Sequence, residues 1–570
     1  MYISLLFSYI CLFAQFTQGS DAVINNMYHA DIIFVGENII TMEDNDSSVN
    51  SIAIRGENII AVGRADQILK YQGKQTQLIH LGEKALLPGF IDSHGHFTAT
   101  ARLENFINLS SPPVGPINNI DETVTLLRQH IARRNSHSDK WVVGYGYDDS
   151  LLAEKRHPTR DDLDKVSTVH PILLMHVSGH FATTNSRGLL ELGINAETTN
   201  PEGGVIRRRP NSREPNGVFE EVAASIVLQG QLNQITGDRF IQLTRAAAKK
   251  YASFGITTVQ DGAITPKDLA LLKAAAENDG YILDIGAYVW ANSLNSESYQ
   301  NFRSESTYSG GVRQIGIKLS LDGSPQGRTA WMTEAYIVGP TNASANYFAY
   351  PSAEPAHYIK RAADLVQREI PIIVHANGDA AIDLMIKGVS EGLQRSPKPN
   401  HRSVIVHAQL MRLDQVKLAT KLGILASFFP VHTYFWGDWH RISFGEKRAK
   451  QISPTRWAVD HNLKFTVHND APVVPPDMMR LLWATVNRAT RSDFILGANQ
   501  RLTTYEALRA MTLDGAYQFF EENTKGSLRA GKQADLVILD VNPLHIAPDK
   551  LKDIKILETF SRGQSIYRNE

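Results

Sequence analysis

Two histidines one residue apart, His94 and His96, close the apolar run ALLPGFIDSHGHF at 85–97. Side chains alternate faces along a strand, so both imidazoles point the same way and can grip one ion together. The same pattern also suits a pair of hydrogen-bonded loop histidines, and the choice turns on partners elsewhere. His375 follows PIIV, His407 follows SVIV, and Asp470 lies three positions beyond the end of KFTV, so each stands where an apolar run stops. Lys318 lies inside the apolar IGIKLSLDG. A buried ammonium is costly unless it is paired or loses its proton. Either Lys318 pairs with Asp322 or another carboxylate, or its neutral amine reacts with carbon dioxide to form a carbamate able to bridge two cations. The single cysteine is Cys11, so a metal in the body of the chain is held by nitrogen and oxygen alone.

Such residues must be brought together by the elements that carry them. Strand-like runs occur at GFIDSHGHF, 255–263, 281–290, 313–323, 371–379, 403–410, 423–429 and 464–473, with helical stretches such as RFIQLTRAAAKKYASF and LDQVKLATKL between several of them. Alternation of this kind predicts an α/β fold, a (β/α)8 TIM-like barrel whose strand ends meet at one mouth. Short alternating strands with Gly-Glu-Asn turns fill 28–87, and a similar pattern returns in 500–570. These ends predict a small composite β-sandwich domain around a barrel spanning 88–499. Residues 101–245 are too long for a βα loop and predict an inserted α/β subdomain over the mouth.

With 43% hydrophobic and 21% charged residues in 570, the chain is globular, and its net charge of -1 gives no electrostatic reason to expect nucleic acid or an acidic membrane. A small-molecule substrate is the expected partner, with homo-oligomerisation left open. The opening MYISLLFSYICLFAQFTQGSDA reads as a signal peptide over 1–20, too short to span a bilayer. The expected location is secreted or periplasmic, or cytoplasmic if this segment is not removed.

The stretches LLPGFIDSHGHF, IKLSLDGSPQGRTA, VHANGDAAID, IVHAQL, NDAPV and GSLRAGKQADLVILDVNP, in that order, resemble metal-dependent amidohydrolases of family 3, the YtcJ-like branch that includes N-substituted formamide deformylases. The resemblance runs from about residue 30 to 560. It implies that His94, His96 and Asp470 hold one metal and His375 and His407 a second, with carbamylated Lys318 bridging them. It implies Zn2+, with Mn2+ or Fe2+ as alternatives on the same ligands. Asp470 is implied to be the proton carrier, a role that typically contributes ~10²- to 10⁴-fold, and His407 to sit with it in the catalytic set.

Two departures from the family pattern stand out. His468 and Asn469 precede Asp470 where relatives usually carry small residues, and DGSPQGRTA replaces a more glycine-rich form. By strand alternation His468 faces the same way as Asp470, toward the site or a ligand. In the insert, His180 of SGHFATTNS is the expected substrate-facing and catalytic polar group, the alternative being a capping or packed histidine. Tyr145 and Tyr147 are expected on one strand face, packed. The aromatic run FFPVHTYFWGDWH (428–440) is either a packed lid or a substrate wall contacted by Trp436 or Trp439. The expected function is metal-dependent hydrolysis of carbon–nitrogen bonds in small amides, formamides, imides or cyclic amides by metal-activated hydroxide. The alternatives are an ester, lactone or phosphoester hydrolase, a mononuclear deaminase, or a non-catalytic exported binding protein.

Overall fold

A computed structural model of the chain describes residues 29–569 apart from 44–47, 134–140, 233–234, 236, 341–342, 353 and 398–399. The expected signal peptide, with Cys11, lies outside them. Eight parallel strands form one sheet: β1 (Phe90–Asp92), β2 (Ile256–Ile264), β3 (Asp284–Trp290), β4 (Val312–Ser320), β5 (Ile372–Ala376), β6 (Val404–His407), β7 (Leu425–Phe428) and β8 (Phe465–Val467). Neighbours in sequence are neighbours in space, as short right-handed βα units require. Each strand matches one of the eight apolar runs. Between β8 and β1 the barrel closes through individual bonds: Ser93 Oγ donates to the Val467 carbonyl at 3.1 Å, and the Asp470 N–H to the His94 carbonyl at 3.1 Å.

The strands are nearly all buried, because helices cover the outside and side chains fill the inside. Ile91, Ile315, Ile373, Val404 and Val406 form an interior cluster with Phe519. The helices start on local signals. Helix α1 (Pro266–Asp279) has Pro at its first turn and Thr265 as N-cap, and α2 (Leu413–Leu422) ends at Gly423 in the left-handed conformation that suits a glycine. The aromatic run after β7 is helical from His432, in α3 (His432–Ala449).

The two chain ends build a pair of four-stranded sheets. One contains Asn58–Gly63, Ser51–Arg55, Ile32–Val35 and Gln77–His80. The other joins three C-terminal strands, Gln564–Arg568, Ile556–Ser561 and Leu536–Leu539, to Ala85–Pro88. Phe34, Ile52 and Ile59 from one sheet cluster with Leu86, Leu536 and Phe560 from the other. Ala85–Pro88 passes through Gly89 straight into β1, so the sandwich anchors the first ligand-bearing strand.

Between β1 and β2 lies a six-stranded mixed sheet, ordered Gly204–Arg208, Pro215–Glu221, Phe181–Thr184, Ile172–His176, Val142–Tyr147 and Ile107–Asn108. Gly146, at φ +90°, sits at a register shift in Val142–Tyr147. The bulge breaks the alternation expected there: Tyr147 is fully buried, while Tyr145 is only partly so.

Barrel and sandwich are joined by buried charge. Lys525 pairs with Asp284 at the start of β3 and with Glu521 at 3.2 Å, and Arg562 of the sandwich also pairs with Asp284. Burial alone would raise the Asp284 pKa, but Lys525 and Arg562 bring it below the ordinary carboxylate value. Removing one member of such a group strands the opposite charge, at a cost of about 3–5 kcal/mol. Lys525→Met is therefore expected to lower the thermal unfolding midpoint by several degrees, and an unchanged melting curve would refute this role.

Candidate metal centre

The side chains singled out at the strand ends converge on one mouth. Nε2 of His94 and of His96 approach Asp470 Oδ1 at 3.6 and 3.3 Å, and all three ligand atoms lie within 4.8 Å of one another. Lys318 Nζ is 3.2 Å from His94 Nε2. His375 Nδ1 and His407 Nε2 stand 3.1 Å apart, and His407 Nδ1 is 3.9 Å from Asp470 Oδ2. The rings of His94 and His407 are 5.4 Å apart, so the two groups form one cluster.

The local backbone is unusual at these positions. His407 and Asp470 both have positive φ, +74° and +56°. For residues with a Cβ this conformation costs of order 1–3 kcal/mol, and such strain concentrates at functional sites. The His94 ring also needs space: a Cβ on Gly262 would lie 2.4 Å from it.

Hydrogen bonds orient the imidazoles. His94 Nδ1–H donates to Gln260 Oε1 at 2.6 Å, which leaves Nε2 bare and pointed at Asp470. His375 Nε2 lies 3.1 Å from the Gly323 carbonyl and 3.0 Å from Asn377 Nδ2, which hold the ring with Nδ1 pointed at His407. Fixing the far nitrogen in this way is how proteins present an imidazole to a metal. Burial drives the pKa of His94, His375 and His407 well below that of a free imidazole, and neighbouring cationic groups add to the effect. All three are thus neutral and available as ligands. Asp470 Oδ1 is buried without a hydrogen-bond partner. A carboxylate oxygen in that position, among bare imidazole nitrogens, fits a divalent cation.

Lys318 is not paired with Asp322. Asp322 accepts from the backbone N–H groups of Asn377, Gly378 and Trp331 at 3.0, 2.7 and 3.0 Å. Burial pushes the Lys318 pKa down to about 7, against the pull of Asp470. A substantial neutral fraction therefore exists near neutrality, as carbamate formation requires.

The insert brings His180 to the same mouth. Its ring is 5.1 Å from that of His375, and Nδ1 bonds Glu221 Oε2 at 2.6 Å. Burial disfavours the charged imidazole, but Glu221 outweighs it and the pKa lies above the ordinary value. His468 is fully buried behind His407 and bonds it, Nε2 standing 3.1 Å from His407 Nδ1, as one of the two expected placements had it. The two tryptophans are packed elsewhere. Trp436 is 1% exposed, its indole N–H donating to Asp148 Oδ2 at 2.6 Å. Trp439 donates to the Gln326 carbonyl at 2.9 Å and stacks under Arg328.

Sequence reasoning missed Gln260, Gly323 and Glu221. Gln260 is a fully buried polar residue in the middle of β2, a legible signal, whereas Gly323 acts through its backbone and leaves none. A second group, Asp149, His157 and His176, lies within the insert. Its hydrogen bonds close on themselves: His176 Nδ1 accepts from the Ser178 N–H at 3.2 Å, and Nε2 meets Asp149 at 3.0 Å.

The model of the Amidohydrolase family matches residues 77–567. The chain belongs to this family. It is 25% identical over 558 residues to an N-substituted formamide deformylase of Arthrobacter pascens, covering 94% of this chain and 98% of that protein. It is 23% identical to the amidohydrolase YtcJ of Bacillus subtilis, covering 94% and 99%. Among solved structures, an uncharacterized metal-dependent hydrolase from Pyrococcus furiosus superposes with a TM-score of 0.69 at 23% identity, over 90% of this chain and 99% of that one. The protein is a metal-dependent amidohydrolase, a hydrolase of carbon–nitrogen bonds. No helix among the described residues is long and apolar enough to cross a membrane.

His94→Ala and Asp470→Asn are each expected to lose bound metal, measured by elemental analysis, while circular dichroism stays that of the wild type. Full metal content in either variant would remove these residues from the ligand set.

Proposed function

We propose that this amidohydrolase cleaves the C–N bond of a small amide, formamide, imide or cyclic amide, using two divalent cations with zinc as the first choice. His94, His96 and Asp470 would hold one ion and His375 and His407 the other, with Lys318 between them as its carbamate. The observation that carries this reading is the pair of imidazole nitrogens 3.1 Å apart on β5 and β6, beside the His94, His96 and Asp470 group. The name of the Arthrobacter pascens relative, N-substituted formamide deformylase, supports the formamide class. When bound, the cations would supply a Lewis acid for the substrate carbonyl and acidify a water.

The protein's own groups carry the remaining work. Lys318, as a neutral amine, attacks carbon dioxide through its nitrogen lone pair and releases one proton, giving an anion with two oxygens. Asp470 takes the proton of the attacking water and returns it to the departing nitrogen, since its carboxylate lies at the centre of the mouth. His180, held by Glu221, faces the same space from the insert and would donate a hydrogen bond to the substrate carbonyl or to an acyl substituent. His94, His375 and His407 are all buried around this space.

The test is a panel of N-formyl, N-acyl, cyclic amide and ester compounds offered to the zinc-loaded protein, with turnover expected on amides and not on esters; turnover confined to esters overturns the assignment. Two ions per chain are expected by elemental analysis, and one would favour a mononuclear centre. Lys318→Ala should lose at least ~100-fold in kcat and regain part of it with short carboxylic acids that replace the bridge. A variant indifferent to every acid would show that Lys318 is no carbamate. His180→Ala is expected to lower kcat/KM by roughly 10- to 100-fold with metal content unchanged.

A further inference from the structure

His468 stands two residues before Asp470, and its surroundings explain what it does. Its imidazole is fully buried and stacked on Phe429, with ring centroids 5.0 Å apart. Both nitrogens are engaged: Nε2 with His407 Nδ1 at 3.1 Å and Nδ1 with Ser427 Oγ at 2.9 Å.

The direction of these bonds follows from a residue farther down the barrel. Gln518 Nε2 donates to the Ser93 carbonyl at 2.7 Å, and a carbonyl can only accept, so the Gln518 amide has one orientation. Its Oε1 then faces Thr466 Oγ1 at 2.8 Å and takes the single hydroxyl proton of Thr466. Thr466 Oγ1 is left to accept from Ser427 Oγ, also at 2.8 Å. Ser93 Oγ, 3.4 Å from Ser427, gives its proton to the Val467 carbonyl and adds no competing donor. Having donated to Thr466, Ser427 accepts from His468 Nδ1–H. A neutral imidazole carries one N–H, so His468 Nε2 is a bare lone pair, and the hydrogen between it and His407 belongs to His407 Nδ1. His407 Nε2 is therefore unprotonated, and it is the nitrogen that faces His375.

We propose that Gln518, Thr466, Ser427 and His468 form a one-way hydrogen-bond chain that fixes the tautomer and ring orientation of His407, with His468 as its positioning residue. All four are fully buried, so water cannot replace a missing link. In this chain an imidazole serves as the outer acceptor of a ligand imidazole, a role more often filled by a carboxylate, backbone carbonyl or water.

The direct test needs no metal. In metal-free protein labelled with 15N-histidine and assigned with His407 and His468 variants, His407 is expected to carry its proton on Nδ1. A proton on Nε2 overturns the proposal. A second arm rests on the reading of His407 as a ligand. In zinc-loaded protein under chelator competition, His468→Leu should weaken one zinc site by roughly 10- to 100-fold, and His468→Gln, whose Oε1 can accept from Nδ1–H, should recover much of it. Equal weakening by both variants, or wild-type affinity in a folded His468→Leu protein, overturns the positioning role. A wild-type protein that binds no zinc at His375 and His407 would defeat the metal assignment alone, and the 15N measurement would still decide the chain.

Discussion

Two imidazole nitrogens that both present lone pairs repel each other, and they stay 3.1 Å apart only if something positive lies between them. His407 Nε2 presents its lone pair across that gap because its hydrogen is claimed on the far side by His468, while the His375 ring is held from behind by the Gly323 carbonyl and the Asn377 amide. The same logic holds for His94, whose hydrogen is taken by Gln260 while its bare Nε2 faces Asp470. A cation turns these unfavourable contacts into bonds. Beside them the mouth gathers a buried carboxylate oxygen of Asp470 and a lysine whose charge burial disfavours. The rest of the architecture follows from keeping this arrangement from relaxing.

Three bodies supply that restraint. The sandwich holds β1 from below through Ala85–Pro88, and its Arg562 reaches back to Asp284 at the base of β3. The barrel interior carries two kinds of filling. One is apolar, with Ile91, Ile373 and Val406 around Phe519. The other is the polar file from Gln518 to His468, which runs through the paired β7 and β8, where Ser427 and Thr466 are register partners, to the side facing β1. The insert adds to the mouth a group from outside the barrel, His180, locked to Glu221. Substrate choice can thus change in the insert without disturbing the ligands.

Much of this is legible in the sequence, for a physical reason. Buried parallel strands are short continuous apolar runs, and a polar residue at the end of such a run has to sit at a mouth or pay desolvation, so His375 and His407 announce their own positions. The pairing of Lys318 was open because burial of a lysine is visible in IGIKLSLDG but its partner is not; three backbone amides had already claimed Asp322. His468 illustrates the other limit. Strand alternation puts it on the side of Asp470, but β8 ends at Val467 and Asp470 takes a left-handed turn. The two side chains therefore approach His407 from different depths, the carboxylate at the mouth and the imidazole beneath it. Trp436 and Trp439 had no periodicity to place them, since the helix that carries them begins only at His432.

The polar file also constrains how this centre can vary. A half-satisfied buried network is worse than an apolar one, because each unpaired group keeps its full desolvation cost. Replacing Thr466 or Ser427 singly by an apolar residue would strand its neighbours, whereas replacing the file together with His468 by small or apolar groups would leave His407 to find another acceptor, such as water. In this chain the orientation of His407 is set by an amide four hydrogen bonds away, at Gln518. The ligand geometry is then as rigid as the barrel's own interior, and the mouth above it is free to be shaped by the insert.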